Sequence, residues 1–411
     1  MLYNKSVVIL ANQVGPPVRG LQCFGRDQFI DLVWEKLSLG HVLLTAPRRF
    51  GKTSIMYKLV DAPRWEYQVL IADLEYLREP ADLITLFTEL LMRNPVTSRS
   101  LKGLSFLSGR LWSWFRESVE EVELYKLKLK LRDELRPHWR ESGDELLHRL
   151  AGCGHTIVFL LDEFPMMIDG MMRRDQGTED ARAILRWLRA VRQRPECQNI
   201  RFLVGGSVGI GAILRNLGEV SSINDFEALK LEPFTRPTAL RFLAGLADGQ
   251  QTALSPGCQR KMLELVGLPI PYFLQVLFSE VRKDHLQTGT AITPRLIERV
   301  YHQRLLGVEC KTYFDHYYGR IREYYARDLE RAVKRMLREV AVTTEVSRDA
   351  FYQIYRKEAG PAATAEQFND VAAELENDFY VRPSTDGKHY TFACKILRDW
   401  WLRYYGMEYG D

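Results

Sequence analysis

The chain has 411 residues, of which 46% are hydrophobic and 27% are charged, and its formal net charge is +4 at pH 7. These values are typical of a globular protein of two to three domains, and so small a positive excess gives no reason to expect a polyanionic partner. No apolar run approaches a membrane span or a signal peptide, and six scattered cysteines without a C-x-x-C pair predict reduced thiols in a cytoplasmic protein.

The first informative stretch combines a strand, a loop and a helix. The apolar run that begins at Val42 reaches a tight loop, and Gly51-Lys52-Thr53 then opens a helical pattern. Such a loop binds a nucleoside triphosphate, because backbone N–H groups surround the phosphates, a lysine reaches the β and γ oxygens, and a threonine hydroxyl ligates Mg²⁺. We therefore expect Lys52 to be partly exposed, Thr53 to be a metal ligand, and ATP or ADP with Mg²⁺ to be the cofactors. An ordinary turn with a chance Gly-Lys-Thr is the alternative.

One residue of the loop departs from the usual G-x-x-x-x-G-K-[ST] pattern. Ala46 stands where the first glycine is expected, which is tolerable if φ at this position is negative. The residues predicted to bind the nucleotide in this segment are Ala46, Pro47, Arg48, Arg49, Phe50, Gly51, Lys52, Thr53 and Ser54.

A long insertion follows the second predicted strand. Within it, residues 122–131 alternate leucine and lysine from Lys126 onward, and a period of two predicts a strand with leucines on one face and lysines on the other. The lysine face has two interpretations. One is a nucleic-acid contact, and the other, which is more common, is an exposed edge strand that lysines protect from further pairing.

An acidic pair follows the next apolar run. The run from Thr156 to Leu161 is continuous, as in a strand buried on both faces of a parallel sheet, and it ends in Asp162 and Glu163. A carboxylate in this position holds Mg²⁺ in phosphoryl-transfer proteins, which predicts that role for Asp162. Glu163 is predicted to polarise the attacking water. A solvated pair of acids is the alternative, but it leaves unexplained why this pair and the lysine–threonine loop both follow apolar strands.

A further strand, over residues 199–204, leads into Gly205-Gly206-Ser207. The Ser207 hydroxyl is predicted to sense the γ-phosphate or orient water, although Gly-Gly-Ser is also an ordinary turn sequence. Strand and helix patterns alternate up to about residue 235, which predicts an α/β fold with a parallel sheet and its ligand at the carboxyl ends of the strands. The predicted strands are 42–45, 67–73, 156–161, 201–204 and 228–231.

The remainder of the chain divides into two predicted segments. Residues 236–325 have a helical pattern typical of a lid, and residues 326–411 give three helices, a hairpin with an Asp386-Gly387 turn, and a last helix. This order resembles a winged helix, whose third helix would read DNA. That helix carries Glu366, Asp370 and Glu374 at i, i+4 spacing, and carboxylates are repelled by phosphates. Sequence-specific DNA binding is therefore disfavoured.

Together these motifs resemble the STAND-class ATPases, a branch of the AAA+ superfamily with bacterial and archaeal members. Cys23-Phe24-Gly25-Arg26-Asp27 is similar to the class's h-h-G-R-[ED] element, although the final acidic position falls on Phe29. Residues 46–53 and 162–165 are similar to its nucleotide motifs, Gly205-Gly206-Ser207 to its sensor strand, and Gly267-Leu268-Pro269 to its G-x-P element.

The resemblance implies a P-loop ATPase core over residues 1–235, a helical lid over 236–325 and a winged-helix domain over 326–411. It implies that Phe24, Gly25 and Arg26 lie near the adenine and that Pro269 closes over the nucleotide. Outside the family, Phe24 could simply pack against the first helix, and Gly267 and Pro269 could simply separate two helices.

The resemblance further implies an ATP-hydrolysing switch that regulates an unidentified effector or sensor protein, with a nucleotide-dependent homo-oligomer as a further expectation. Two alternatives remain: a nucleotide-modulated DNA-binding regulator and a nucleotide holder without turnover, against which the Asp162–Glu163 pair argues. A neighbouring subunit often supplies an arginine to such sites. Four arginines are candidates, and the sequence does not choose among them: Arg186, Arg189, Arg192 and Arg201.

Overall fold

The computed structural model describes residues 9–107, 121–206, 209–325 and 327–407. The chain divides into two compact units. The sheet unit consists of Arg26–Thr45 and Lys52–Leu231, and the helical unit consists of Met1–Gly25, Ala46–Gly51 and Glu232–Asp411. Among the helices within the described ranges, none is both long enough and apolar enough to span a bilayer.

The sheet unit is built on five parallel strands in the order β2-β3-β4-β1-β5. All five strands predicted from the sequence are present, and the parallel sheet is confirmed. Strand β3, which lies between β2 and β4, is buried at every position, which explains why its sequence is a continuous apolar run. The strands are β1 His41–Thr45, β2 Gln68–Asp73, β3 Ile157–Asp162, β4 Ile200–Gly206 and β5 Phe226–Lys230.

Helices cover this sheet and bury its apolar side chains. The ring of Phe87, on a helix, stacks on Phe159 of β3 with a centroid separation of 4.5 Å, and Phe159 stacks on Phe202 of β4 at 5.6 Å. These aromatic contacts join a helix to two strands and form the centre of the core. The helices of this unit are α1 Asp27–Leu39, α2 Lys52–Asp61, α3 Pro80–Arg93, α4 Glu121–Leu135, α5 Trp139–Ala151, α6 Phe164–Met172, α7 Gly177–Gln193 and α8 Ile210–Leu217.

The prediction of a strand over residues 122–131 is wrong, because this segment lies within helix α4. Alternate leucines also include residues four apart, and Leu127, Leu131 and Leu135 form one buried stripe of the helix. Lysine and leucine both favour helices, and the lysine–leucine run contains no β-branched residue. Neither the edge-strand interpretation nor a lysine-faced strand therefore applies. Lys128, one of the lysines, pairs with Glu89 of α3 at 2.7 Å.

Most of the helical unit follows β5, from Glu232 onward, and consists mainly of helices. Gly267 ends one of them with φ of 78°, and a Cβ at this position would lie 2.9 Å from the backbone nitrogen of Lys395. Only glycine is free of strain at this position. The helices before residue 326 are α9 Arg236–Gly249, α10 Pro256–Val266, α11 Pro271–Thr288, α12 Pro294–Val300 and α13 Thr312–Tyr324.

The C-terminal segment has the predicted order of three helices, a hairpin and a last helix. A short strand follows the first helix and completes a three-stranded antiparallel sheet in the order β6-β8-β7, and Gly387 has φ of 69° in the hairpin turn. The Asp-Gly hairpin is therefore confirmed. The elements are α14 Arg327–Thr343, β6 Glu345–Ser347, α15 Arg348–Ala359, α16 Ala365–Asn377, β7 Val381–Pro383, β8 His389–Phe392 and α17 Lys395–Tyr405.

The last helix, α17, packs against helices that precede the C-terminal segment. The Tyr301 hydroxyl donates to Asp399 at 2.8 Å, and the Tyr404 hydroxyl donates to the carbonyl of Leu306 at 3.1 Å. The C-terminal segment thus belongs to the same compact unit as residues 236–325.

Candidate nucleotide site

The loop between β1 and α2 has the backbone of a phosphate-binding turn. Gly51 has φ of 95°, a conformation that favours glycine, and Arg49 also has a positive φ of 70°. Ala46 has no positive φ, so its methyl group is accommodated where the usual motif has glycine. Helix α2 begins at Lys52, and its amino-terminal N–H groups provide an attractive environment for an anion.

The expectation that Lys52 is partly exposed is wrong. Its exposed fraction is 6%, and the neighbouring Ser54 is also buried. A lysine in so sheltered a position attracts a phosphate more strongly than an exposed one, since the surrounding dielectric is lower. The long aliphatic part of the side chain also contributes to packing, so its removal affects stability as well as charge.

Two oxygen ligands suited to Mg²⁺ lie side by side in the sheet unit. The Thr53 hydroxyl donates to Oδ2 of Asp162 at 2.6 Å, and the exposed fraction of Asp162 is 5%. The backbone N–H of Glu163 donates to the other carboxylate oxygen at 3.1 Å. Mg²⁺ prefers oxygen donors and commonly takes only one or two carboxylates, with phosphates and water completing its coordination, so these residues fit it. Within the described ranges there is no cluster of three or more His, Cys, Asp and Glu side chains that could hold a metal by themselves.

Glu163 has a strained backbone. It precedes helix α6 with φ of 53° and ψ of 35°, the left-handed conformation, and its side chain caps no helix N–H. A non-glycine residue in this conformation costs about 1–2 kcal/mol. Strain of this kind is concentrated at functional sites, where the surrounding structure maintains it. The sequence gives no sign of this strain.

The strand β4 approaches Asp162 so closely that only glycine fits. A Cβ on Gly205 would lie 2.9 Å from Oδ1 of Asp162 and 2.3 Å from Cε of Met56. The glycine therefore leaves room for the carboxylate in its present position. Ser207, predicted as a catalytic residue, lies outside the described residues.

The loop residues Pro47–Phe50 belong to the helical unit, where they make specific contacts. The Arg49 guanidinium donates to the carbonyl of Gly15 at 3.0 Å and lies over the ring of Tyr272 at 5.1 Å. Burial, with a smaller contribution from the charge of Arg49, lowers the pKa of His316 to about 3. The His316 ring is therefore neutral at pH 7 beside the cationic Arg49. Phe50 is fully buried and stacks on Phe379, a contact that the sequence does not predict.

Two elements of the helical unit that the family resemblance assigns to the nucleotide are brought together. Phe24 packs against Phe234 and Phe242 with centroid separations of 6.5 and 5.8 Å, and the N–H of Phe234 donates to the carbonyl of Pro269 at 3.1 Å. Gly25 has φ of 67°, and a Cβ there would lie 2.6 Å from the side chain of Thr238. Arg26 is buried in the sheet unit, at the start of α1.

The four candidate arginines differ in their surroundings. The side chain of Arg192 is buried and makes a bidentate ion pair with Asp225 at 2.7 and 2.9 Å. Arg201 lies at the amino end of β4, away from the strand ends that carry Asp162. Arg201 donates to the carbonyl of Leu37 at 3.2 Å, so extending either arginine to another subunit would break its present contacts. Arg186 pairs with the buried Glu219 at 2.6 Å, and Arg189 is half-buried.

The acidic stripe predicted on α16 is only partly a free surface. Glu366 is exposed, but Asp370 and Glu374 are half-buried, and Glu374 accepts a hydrogen bond from the Tyr325 hydroxyl at 3.0 Å. The carboxyl end of this helix is therefore engaged within the helical unit.

Two solved structures that share this fold match nearly the whole chain. The Walker-type ATPase PABY2304 of Pyrococcus abyssi is 16% identical with a TM-score of 0.59, and the match covers 95% of this chain and 99% of that chain. The ORC2 protein of Aeropyrum pernix, in its ADPNP–ADP complexes, is 12% identical with a TM-score of 0.51, and the match covers 93% and 92% of the two chains. No protein-family model and no curated protein matches this chain. The chain therefore shares the fold of these two proteins, an α/β fold with a parallel five-stranded sheet.

Proposed function

We propose that this chain binds Mg·ATP and hydrolyses it, and that it acts as a STAND-like molecular switch. The observation that carries the proposal is the hydrogen bond from the Thr53 hydroxyl to the buried Asp162 carboxylate, at 2.6 Å. It joins the first turn of α2 to the end of β3, which are the two elements that hold the metal in P-loop ATPases. Packing alone would not require a threonine hydroxyl to face an aspartate carboxylate.

Each residue of the site has a distinct proposed role. Lys52 pairs with the β and γ phosphate oxygens, while Thr53 and Asp162 hold Mg²⁺, which when bound neutralises charge on the phosphates. Glu163 orients and polarises the attacking water, and Ser207 senses the γ-phosphate. The loop residues Ala46–Gly51, with Ser54, provide the backbone donors for the phosphates.

The adenine end of the site is proposed from the family resemblance. Phe24, which is followed by Gly25, packs against the ring of Phe234, and the Phe234 N–H donates to the carbonyl of Pro269. This grouping supports a shared role in covering the base. Arg26 is proposed to contribute from the start of α1. These residues are proposed to become ordered around the base when ATP or ADP binds, so that the bound and empty states differ.

Regulation of a partner protein follows from the proposed domain organisation. We divide the chain into an ATPase core over residues 1–235, a lid over 236–325 and a winged helix over 326–411. Nucleotide exchange or hydrolysis would change how the lid and winged helix are held and so release or bind an effector or sensor protein. Capture of partners from the native host with ATP and with ADP tests this role, and identical partners in both states would contradict a switch.

A DNA-binding regulator is the second candidate, favoured by the order of elements in the C-terminal segment. The exposed Glu366 and the half-buried Asp370 and Glu374 oppose it, since a helix that reads DNA needs donors to base edges. We expect at most weak, salt-sensitive association of the whole chain with duplex DNA. Selection from a random duplex library at physiological salt tests this, and an enriched motif with submicromolar affinity would favour the regulator.

Nucleotide binding is tested with a lysine substitution that preserves volume. Lys52→Met keeps the buried aliphatic chain and removes the charge, and a charged hydrogen bond contributes about 1.5–3 kcal/mol. We therefore expect Mg·ATP affinity, measured by calorimetry, to fall about 10- to 100-fold. Lys58→Met, in the last turn of the same helix, is the control and should bind as the wild type does. Equal affinity in both variants would contradict the site.

A further inference from the structure

The phosphate loop and the C-terminal segment meet through two aromatic rings. The rings of Phe50 and Phe379 are stacked with a centroid separation of 5.0 Å and an interplanar angle of 24°. Phe50 is 1% exposed, so the ring is surrounded by protein although it lies in a loop. Both residues belong to the helical unit.

Phe379 is held firmly on its own side of this contact. It follows α16 in the left-handed conformation, with φ of 57°, and its N–H donates to the carbonyl of Glu376 at 3.1 Å. The next residue, Tyr380, is buried and its hydroxyl donates to the carbonyl of Tyr317 in α13 at 2.6 Å. A phenylalanine in this backbone conformation is strained, whereas glycine would not be. The side chain is thus present despite a backbone cost.

The opposite side of the contact is the loop that is proposed to bind the phosphates. Phe50 directly precedes Gly51 and Lys52, so the position of its ring fixes the direction of backbone N–H groups that would face the phosphates. Arg49, one residue earlier, is fixed to Gly15 and Tyr272, as described above. The Phe50 stack is a contact that joins the loop to the C-terminal segment.

We propose that Phe379 is a positioning residue for nucleotide binding: through Phe50 it holds the phosphate loop in its binding conformation. This inference rests on the proposed Mg·ATP site. Because coupling between two sites is reciprocal, a bound nucleotide strengthens the docking of the α16–β7 turn to the same extent that this docking strengthens nucleotide binding. The C-terminal segment therefore responds to nucleotide at the turn that carries Phe379.

Substitutions at both rings test the contact. An aromatic pair contributes about 0.5–1.5 kcal/mol beyond its buried area, so Phe379→Leu and Phe50→Leu should each weaken Mg·ATP binding about 2- to 10-fold. The double substitution should be little weaker than either single one, since both remove the same interaction. Phe379→Tyr keeps the ring and should bind nearly as the wild type does.

Two further variants separate positioning from folding. Phe379→Gly removes the ring and also relieves the strained backbone, so it should weaken nucleotide binding without a corresponding loss of thermal stability. Phe351→Leu is the control: Phe351 is fully buried in the same segment and contacts Phe368 and Tyr390. It should lower stability and leave nucleotide affinity nearly unchanged.

Hydrogen exchange of the wild-type chain provides a readout that requires no variant. Mg·ATP should slow amide exchange over residues 375–383, and Phe50→Leu should remove that protection while nucleotide is saturating. A wild-type chain that binds no Mg·ATP would refute the proposed function itself. A wild-type chain that binds Mg·ATP, with unchanged affinity in Phe379→Gly and unchanged exchange over residues 375–383, would refute this inference alone.

Discussion

Glu163 combines a strained backbone with the carboxylate proposed to activate water, and two substitutions separate these properties. Glu163→Gln keeps the side-chain shape and the left-handed backbone, which has φ of 53°, and removes only the charge. Its stability should stay near that of the wild type, while turnover falls about 100- to 10,000-fold, the usual contribution of a positioned acid–base group. Glu163→Gly removes the carboxylate and relieves the strain together.

The expected stability of Glu163→Gly follows from two opposing contributions. Relief of the left-handed conformation stabilises by about 1–2 kcal/mol. The greater freedom of glycine in the unfolded chain opposes this by about 0.4–1 kcal/mol. The free energy of unfolding should therefore rise by up to about 1.6 kcal/mol, although turnover is lost.

A matched control is available in the same unit. Gln176 precedes α7 with φ of 59° and is exposed, so Gln176→Gly should give a similar gain in stability with no change in turnover. Urea unfolding and phosphate release measure the two quantities. Wild-type turnover in Glu163→Gln would refute the role of the carboxylate. A loss of stability in Glu163→Gly with a gain in Gln176→Gly would refute the assignment of strain to Glu163.

Three further predictions concern the sheet unit. Thr53→Val should weaken Mg·ATP binding at least about tenfold in calorimetry while Thr53→Ser does not, because serine retains the hydroxyl that donates to Asp162; equal affinities would contradict this. Gly205→Ala should lower stability by about 1–3 kcal/mol in urea unfolding and weaken binding, because its Cβ would press on Asp162 and Met56; wild-type behaviour would contradict the close approach. Burial, and next the charge of Arg192, lowers the pKa of His41 to about 4. The free energy of unfolding should therefore be full above about pH 6.5 and fall by up to about 1.4 kcal/mol per pH unit between 6.5 and 4. His41→Asn should flatten this slope, and an unchanged slope would refute the contribution of His41.

The parts of the fold that the sequence predicts well are those fixed by local chemistry. Strands β1 and β3 contain apolar runs, and the loop before α2 has the Gly51-Lys52-Thr53 sequence from which a phosphate-binding turn is predicted. The hairpin at Gly387 follows from the backbone freedom of glycine. In each case a short stretch of sequence contains the whole physical cause.

The features that the sequence does not predict depend on distant residues. The leucine and lysine run of α4 satisfies both a strand and a helix period, and burial of Leu127 and Leu131 decides for the helix. The burial of Lys52 and the stack of Phe50 on Phe379 depend on parts of the chain far apart in sequence. No local pattern marks any of these contacts.

The central proposal, a Mg·ATP site built on Lys52, Thr53 and Asp162, is tested most directly by calorimetric titration of the wild-type chain with ATP. The titration is performed with Mg²⁺ and repeated with EDTA. We predict saturation at roughly one nucleotide per chain with Mg²⁺, and an affinity at least about tenfold lower with EDTA, because Thr53 and Asp162 present oxygen ligands to the metal. No binding with Mg²⁺, or the same affinity in both titrations, would contradict the proposal.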